Sequence, residues 1–67
     1  MYPNLNAEMA RHGHTNQYVG EQLGISRQSF ETRKRSGTFD VGEIKLLLGL
    51  YDVEFYYLFA TDLQESA

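Results

Sequence analysis

With 67 residues there is room for one domain. A domain so small buries only about 60% of the surface its unfolded chain exposes, which leaves little wall for a deep catalytic pocket. The absence of cysteine excludes disulfides and thiolate metal sites, and a net charge of −3 argues against a polyanionic partner for the molecule as a whole.

In chain order, Pro3 suits the first turn of a helix over residues 3–12, in which Leu5 and Met9 fall four apart on one face. Gly13 fits the position just past its end, and His12 stands favourably in its last turn. Thr15 is placed to cap a second helix, with Val19 and Leu23 again four apart and Gly24 as its stop. After Ile25, Ser26 can cap a third helix through Gln28, Ser29, Phe30 and Thr32 to Arg35, closed by Ser36-Gly37. Asp40 and Glu43 have the spacing of a capping box for a fourth. On a helical wheel Val41, Ile44, Leu47, Leu48 and Tyr51 gather on one side, and Leu46 and Leu50 fall opposite, beside Glu43. Asp52 or Glu54 opens a fifth helix carrying Phe55, Tyr56, Tyr57, Leu58 and Phe59. Residues 62–67 read as a polar tail expected to fray. Strand punctuation is missing, so the expected fold is all-α: a compact five-helix bundle in one domain, residues 1–61.

The most specific stretch runs from Thr15 to Phe30. Two helices crossing steeply over a short turn need a small residue where the second passes the first, and Gly20 supplies it. The turn needs a residue that tolerates positive φ, and Gly24 supplies that. Val19, Leu23, Ile25 and Phe30 are spaced to fill the angle between the helices. Charge is concentrated just here. From Ile25 to Gly37, Arg27, Arg33, Lys34 and Arg35 stand against Glu31 alone, a local +3, while Arg11 and Lys45 stand against eight acids elsewhere, −6. A basic segment on an acidic body makes a one-sided field suited to a polyanion, although such a run also serves as an ordinary solvated face.

These residues resemble the Cro and phage-repressor family of helix-turn-helix regulators, also called the xenobiotic response element family. The resemblance covers residues 5–59. It rests on the lead-in Gly13-His14-Thr15, the turn Leu23-Gly24-Ile25-Ser26, and the closing Val53-Glu54-Phe55-Tyr56-Tyr57-Leu58-Phe59. It implies the lambda-repressor-like arrangement of five helices, with the third as recognition helix, binding palindromic operators as a dimer. Carried over by position, it implies that Arg27, Gln28 and Thr32 face base edges, Arg forking onto guanine and Gln onto adenine. Asn16 and Gln17 resemble residues that grip phosphate at a helix start, Ser26 and Ser29 add phosphate or base contacts, and Arg33, Lys34 and Arg35 fall to phosphate.

Three positions depart from the family pattern. His14 stands where an aliphatic residue is common, Arg33 where an apolar or tryptophan side chain is usual, and Glu31 puts an acid beside the DNA face. Arg33 has a stem long enough to pack while its head reaches water. Glu31 either accepts from a cytosine amino group or pairs with Arg27 or Arg35 at i,i±4, and the intrahelical pair is the stronger expectation.

The fourth and fifth helices carry more apolar residues than one buried face needs. Leu46, Leu50, Tyr56 and Tyr57 are expected to form a self-association patch, or else to cover one another in a small core.

Other chemistry finds little support. His12 and His14 make a His-x-His pair without a third ligand, so no metal is expected, nor any cofactor. The serines lack a histidine base with a positioned carboxylate, and an enzyme is not expected. No apolar run is long enough to span a membrane, and Met1-Tyr2-Pro3-Asn4 is not a leader, so the expected location is a bacterial host's cytoplasm or nucleoid. The expected function is operator binding as a Cro-like repressor. The alternative is an antirepressor or modulator that uses the same fold to bind a partner repressor protein.

Overall fold

In the structure, a computed structural model describing residues 1–61, five helices follow one another: α1 (Pro3–Arg11), α2 (Asn16–Leu23), α3 (Arg27–Ser36), α4 (Val41–Tyr51) and α5 (Phe55–Leu58). The polar tail expected over residues 62–67 lies outside the described residues. Where helices begin follows from local chemistry. The Thr15 hydroxyl accepts from the Tyr18 amide at 3.0 Å, and the Ser26 hydroxyl accepts from the Ser29 amide at 3.1 Å. Asp40 and Glu43 close the capping box reciprocally: Asp40 Oδ1 accepts from the Glu43 amide at 2.7 Å, and Glu43 Oε1 from the Asp40 amide at 3.1 Å. Each satisfies an amide that the first helical turn leaves without a partner. α1 has no side-chain cap and relies on Pro3, whose fixed φ suits the first turn.

Helix ends follow the same logic. Gly24 and Gly37 end α2 and α3 in the left-handed region, at φ of 75° and 71°. α4 ends instead on Asp52 at φ 53°, the one non-glycine residue with positive φ among the described residues.

Every helix contributes to one core. Leu5 and Met9 come from α1, Val19 from α2, Phe30 from α3, Leu47 and Tyr51 from α4, and Leu58 from α5, with Phe59 just beyond it. Leu23 and Ile25, expected in the angle between α2 and α3, pack partly against this cluster. The Cα radius of gyration is 11.2 Å, close to the roughly 11 Å expected of a compact chain of this length.

Two features of α4 and α5 differ from the sequence expectation. Val41, assigned to the core side, is 67% exposed, because it is the first residue of α4 and the core is reached only from Ile44 onward. Leu50, assigned to the free side, packs partly against the core: Leu47, Leu48, Leu50 and Tyr51 all reach it, so the contact surface of α4 is wider than a single stripe.

Glu8 is unexpectedly buried, at 3% exposure. Its Oε2 accepts from Arg11 Nη1 and from the Tyr57 hydroxyl, each at 2.8 Å, while Asn4 Nδ2 donates to the Tyr57 carbonyl at 2.8 Å. A buried carboxylate is tolerable only with such partners, and here they fasten α5 to α1. The bond to Glu8 is the main reason the Tyr57 phenol is pushed to higher pKa.

Candidate nucleic-acid interface

α2 and α3 meet at Gly20. A Cβ built there would stand 3.1 Å from the carbonyl oxygens of both Ile25 and Ser26. The close approach is therefore backbone against backbone, and only a very small residue permits it. With Phe30 fully buried, α3 is fixed in rotation, which decides what its other faces present.

Gln28, Thr32 and Arg35, at i, i+4 and i+7, are exposed on the outer face, and Arg27 is exposed beside them. The three residues expected to face bases are thus all accessible and lie together on one side of α3. Gln28, Ser29, Thr32 and Arg33, together with Thr38 from the following loop, line a shallow polar depression. The Ser26 hydroxyl donates to Ser29 Oγ at 3.0 Å, so both serines sit in the capping network at the head of the helix. Gln17 is exposed on the first turn of α2.

Three residues expected at phosphate are engaged elsewhere. Arg33 pairs through Nη1 with Glu43 Oε2 of α4. Its guanidinium, expected to reach water, finds a carboxylate instead, and the side chain is 32% exposed. Lys34 Nζ donates to Asn6 Oδ1 at 2.9 Å and to Asn16 Oδ1 at 2.8 Å, and stands 5.1 Å over the Phe30 ring. Partial burial lowers its pKa, against an opposing pull from Glu31. Asn16 meanwhile donates from Nδ2 to Glu31 Oε2 at 3.1 Å, so its side chain bridges α2 to α3. Of the basic run, Arg35 alone is an exposed cation outside an ion pair among the described residues.

Glu31 lies 3.8 Å from Arg27 Nε, in the i,i+4 pairing expected of it. What sequence reasoning missed is its second partner, Asn16, together with Glu43 as the partner of Arg33 and Asn6 as an acceptor for Lys34. None carries a local signal, because each contact joins different helices.

His14, in place of an aliphatic residue, is accommodated by polar and ring contacts. Its Nδ1 lies 2.9 Å from the Tyr51 hydroxyl and its ring 4.5 Å from that of Tyr18. His12 uses its Nδ1 on the Glu8 carbonyl oxygen at 2.9 Å. Among the described residues no group of three or more His, Asp or Glu is placed to hold a metal ion.

The residues expected to self-associate are only partly free. Tyr56 is 80% exposed and Leu46 41%. Leu50 packs partly against the core, and Tyr57 spends its hydroxyl on Glu8. Phe55 stands at a position that the family resemblance implies is buried, yet it is exposed, because α5 is a four-residue helix and Phe55 opens it; its ring leans on Tyr56 and Phe59 at 5.5 and 5.3 Å. No helix among the described residues is long and apolar enough to cross a membrane. Comparison with protein-family models, curated proteins and solved structures finds no match to this chain.

Proposed function

We propose that this protein is a sequence-specific double-stranded DNA-binding regulator of the lambda-repressor-like helix-turn-helix type, acting as a Cro-like repressor in a bacterial host. The observation that carries the reading is the backbone approach at Gly20, which sets α3 with Phe30 inward and Gln28, Thr32, Arg35 and Arg27 outward. In this reading α3 enters the major groove. Arg27 forks onto O6 and N7 of a guanine and Gln28 onto N6 and N7 of an adenine, while Thr32 offers a hydroxyl and a methyl group. Arg35, Gln17 and the amides at the start of α2 hold phosphate and set the register.

One recognition helix reads few base pairs, so the operator is read by a homodimer with its two α3 helices one turn of DNA apart, about 34 Å. Exposed Val41, Leu46, Phe55 and Tyr56 supply apolar surface for that contact. Repression follows by occluding a promoter, with neither catalysis nor cofactor.

A selection from a random duplex pool at moderate salt tests the reading. Enrichment of an inverted repeat with half-site centres about 10 bp apart is the expected result. Weak, salt-sensitive retention without enrichment would overturn it in favour of a module that binds a partner repressor protein. The engagement of Arg33 by Glu43 favours that second reading, because it removes one cation from the DNA face.

A further inference from the structure

The carboxylate of Glu31 stands where α2 meets the exposed face of α3. Its Oε2 accepts from Asn16 Nδ2 at 3.1 Å and lies 3.8 Å from Arg27 Nε. Behind it, Asn16 Oδ1 accepts from Lys34 Nζ at 2.8 Å, and the same ammonium reaches Asn6 Oδ1 of α1 at 2.9 Å. A continuous polar chain thus runs from Asn6 through Lys34, Asn16 and Glu31 to Arg27, and it is built on three helices.

Taken alone, the Arg27–Glu31 contact contributes little. It is an exposed i,i+4 pair with the cation first, the weaker of the two orders. Glu31, however, is held from behind by α2, so a flexible arginine meets a carboxylate that is already fixed. Less side-chain entropy is then lost when Arg27 is ordered. The contact is also on the Nε side of the guanidinium. The two terminal nitrogens have no partner among the described residues, and they are the pair that forks onto guanine. At the same time Glu31 sets a negative charge beside the surface that meets phosphate, which weakens attraction to any duplex.

We infer that Glu31 is a positioning residue that lowers affinity for DNA in general and sharpens discrimination, by holding Arg27 through Nε with its terminal nitrogens free for one guanine. This rests on the reading of α3 as the helix that enters the major groove. It gives the unfavourable acid on the DNA face a purpose: random sequence is bound less well, and the correct base is read by an arginine drawn to one place by a fixed charge 3.8 Å from its Nε.

The test compares wild type with Glu31→Gln on three duplexes: the selected site, the same site with 7-deazaguanine at the contacted guanine, and random sequence. Glutamine keeps an acceptor for Asn16 and removes the charge. Thermal unfolding establishes that the variant is folded. The expected result is several-fold tighter binding of Glu31→Gln to random duplex, with the ratio between the selected and deazaguanine sites falling roughly tenfold. In an Arg27→Ala background, which has no donor for the guanine, the same substitution should leave that ratio unchanged. A wild-type preference that Glu31→Gln retains in full would overturn this inference while leaving the DNA reading intact. A wild type without preference for any duplex would overturn both.

Discussion

Arg33 and Glu43 join α3 to α4 through an ion pair, and Glu43 uses its other oxygen to complete the capping box that starts α4. One side chain therefore begins a helix and ties it to the helix before. The pair is partly shielded, with the side chains 32% and 11% exposed, so it should contribute more than a fully solvated pair. Glu43→Gln keeps an acceptor for the Asp40 amide and loses the charge, and should cost about 1 kcal/mol. Glu43→Ala also loses the bond from the Asp40 amide, while Asp40 still caps the amide of residue 43, and should cost about 2 kcal/mol. Urea unfolding of both variants, and of each combined with Arg33→Ala, measures the coupling. An Arg33→Ala background that leaves the cost of Glu43→Gln undiminished would dissolve the pair as an energetic unit.

Gly20 tests the geometry that the functional reading depends on. Alanine there gains about 1 kcal/mol of helix propensity, but its Cβ presses on two backbone carbonyl oxygens at 3.1 Å. The two effects oppose each other, and Gly20→Ala should be close to neutral. Gly20→Val adds two methyl groups that the backbone cannot make room for, and should cost about 2 kcal/mol or more. In a domain of this size that lowers the melting temperature by roughly 10 °C or more. A valine variant melting like wild type would show that the two helices are not held at this distance.

Asp52 offers a stabilising change. Its left-handed backbone disfavours a side chain, and its charge sits at the unfavourable C-terminal end of the α4 dipole. Asp52→Gly relieves both and should raise stability by about 0.5–1 kcal/mol, net of the greater entropy glycine loses on folding. Asp52→Asn relieves the charge and tolerates the conformation better, so it should recover part of that gain. Denaturation midpoints of the two variants separate charge from backbone; a loss of stability in both would contradict the assignment.

Tyr51 sets an alkaline limit. It is 5% exposed, with its hydroxyl beside His14 Nδ1, and burial, helped by the charges of Tyr18 and Glu8, pushes its phenol up to about 12. The folded state thus holds the proton more tightly than the unfolded chain, whose phenol titrates near 10. Stability from this group is fully present below pH 10 and is lost as pH rises from about 10 to 12. Melting temperature followed over that window should fall, and should fall less steeply in Tyr51→Phe. Parallel curves for the two proteins would assign the alkaline loss elsewhere.

The fold was legible wherever a signal is local. Thr15, Ser26 and the Asp40–Glu43 box announce helix starts, Gly24 and Gly37 announce stops, and Val19, Leu23, Ile25 and Phe30 announce the packing between α2 and α3. α4 was legible only in part. It is apolar on more than one side, so periodicity could not assign Leu50 or Val41 to the right surface. The site divided in the same way. Exposure of Arg27, Gln28 and Thr32 follows from the placement of Phe30 and the helical period. Occupation of Asn16, Arg33 and Lys34 follows from partners 15, 10 and 28 residues away, and Tyr57 meets Glu8 across 49. A one-dimensional pattern assigns a charge to a face, and only the packed helices show which charges are already paired.

If α3 reads DNA as proposed, that difference changes what substitutions in the basic run should do. Arg27→Ala and Gln28→Ala should each cost about 1–3 kcal/mol on the selected site and little on random duplex, because base contacts carry the sequence information. Arg35→Ala should weaken all duplexes alike and flatten the slope of log affinity against log salt by about one unit, as expected when one phosphate contact is lost. Lys34 shares its sign and lies one residue away, yet its ammonium already serves Asn6, Asn16 and the Phe30 ring. Lys34→Ala should therefore lower the melting temperature and leave the salt slope nearly unchanged. Fluorescence anisotropy at several salt concentrations distinguishes these outcomes. A full unit lost from the slope by Lys34→Ala would mean that the ammonium leaves its partners for phosphate when DNA binds. Equal losses on selected and random DNA for Arg27→Ala and Gln28→Ala would remove both from the base readers.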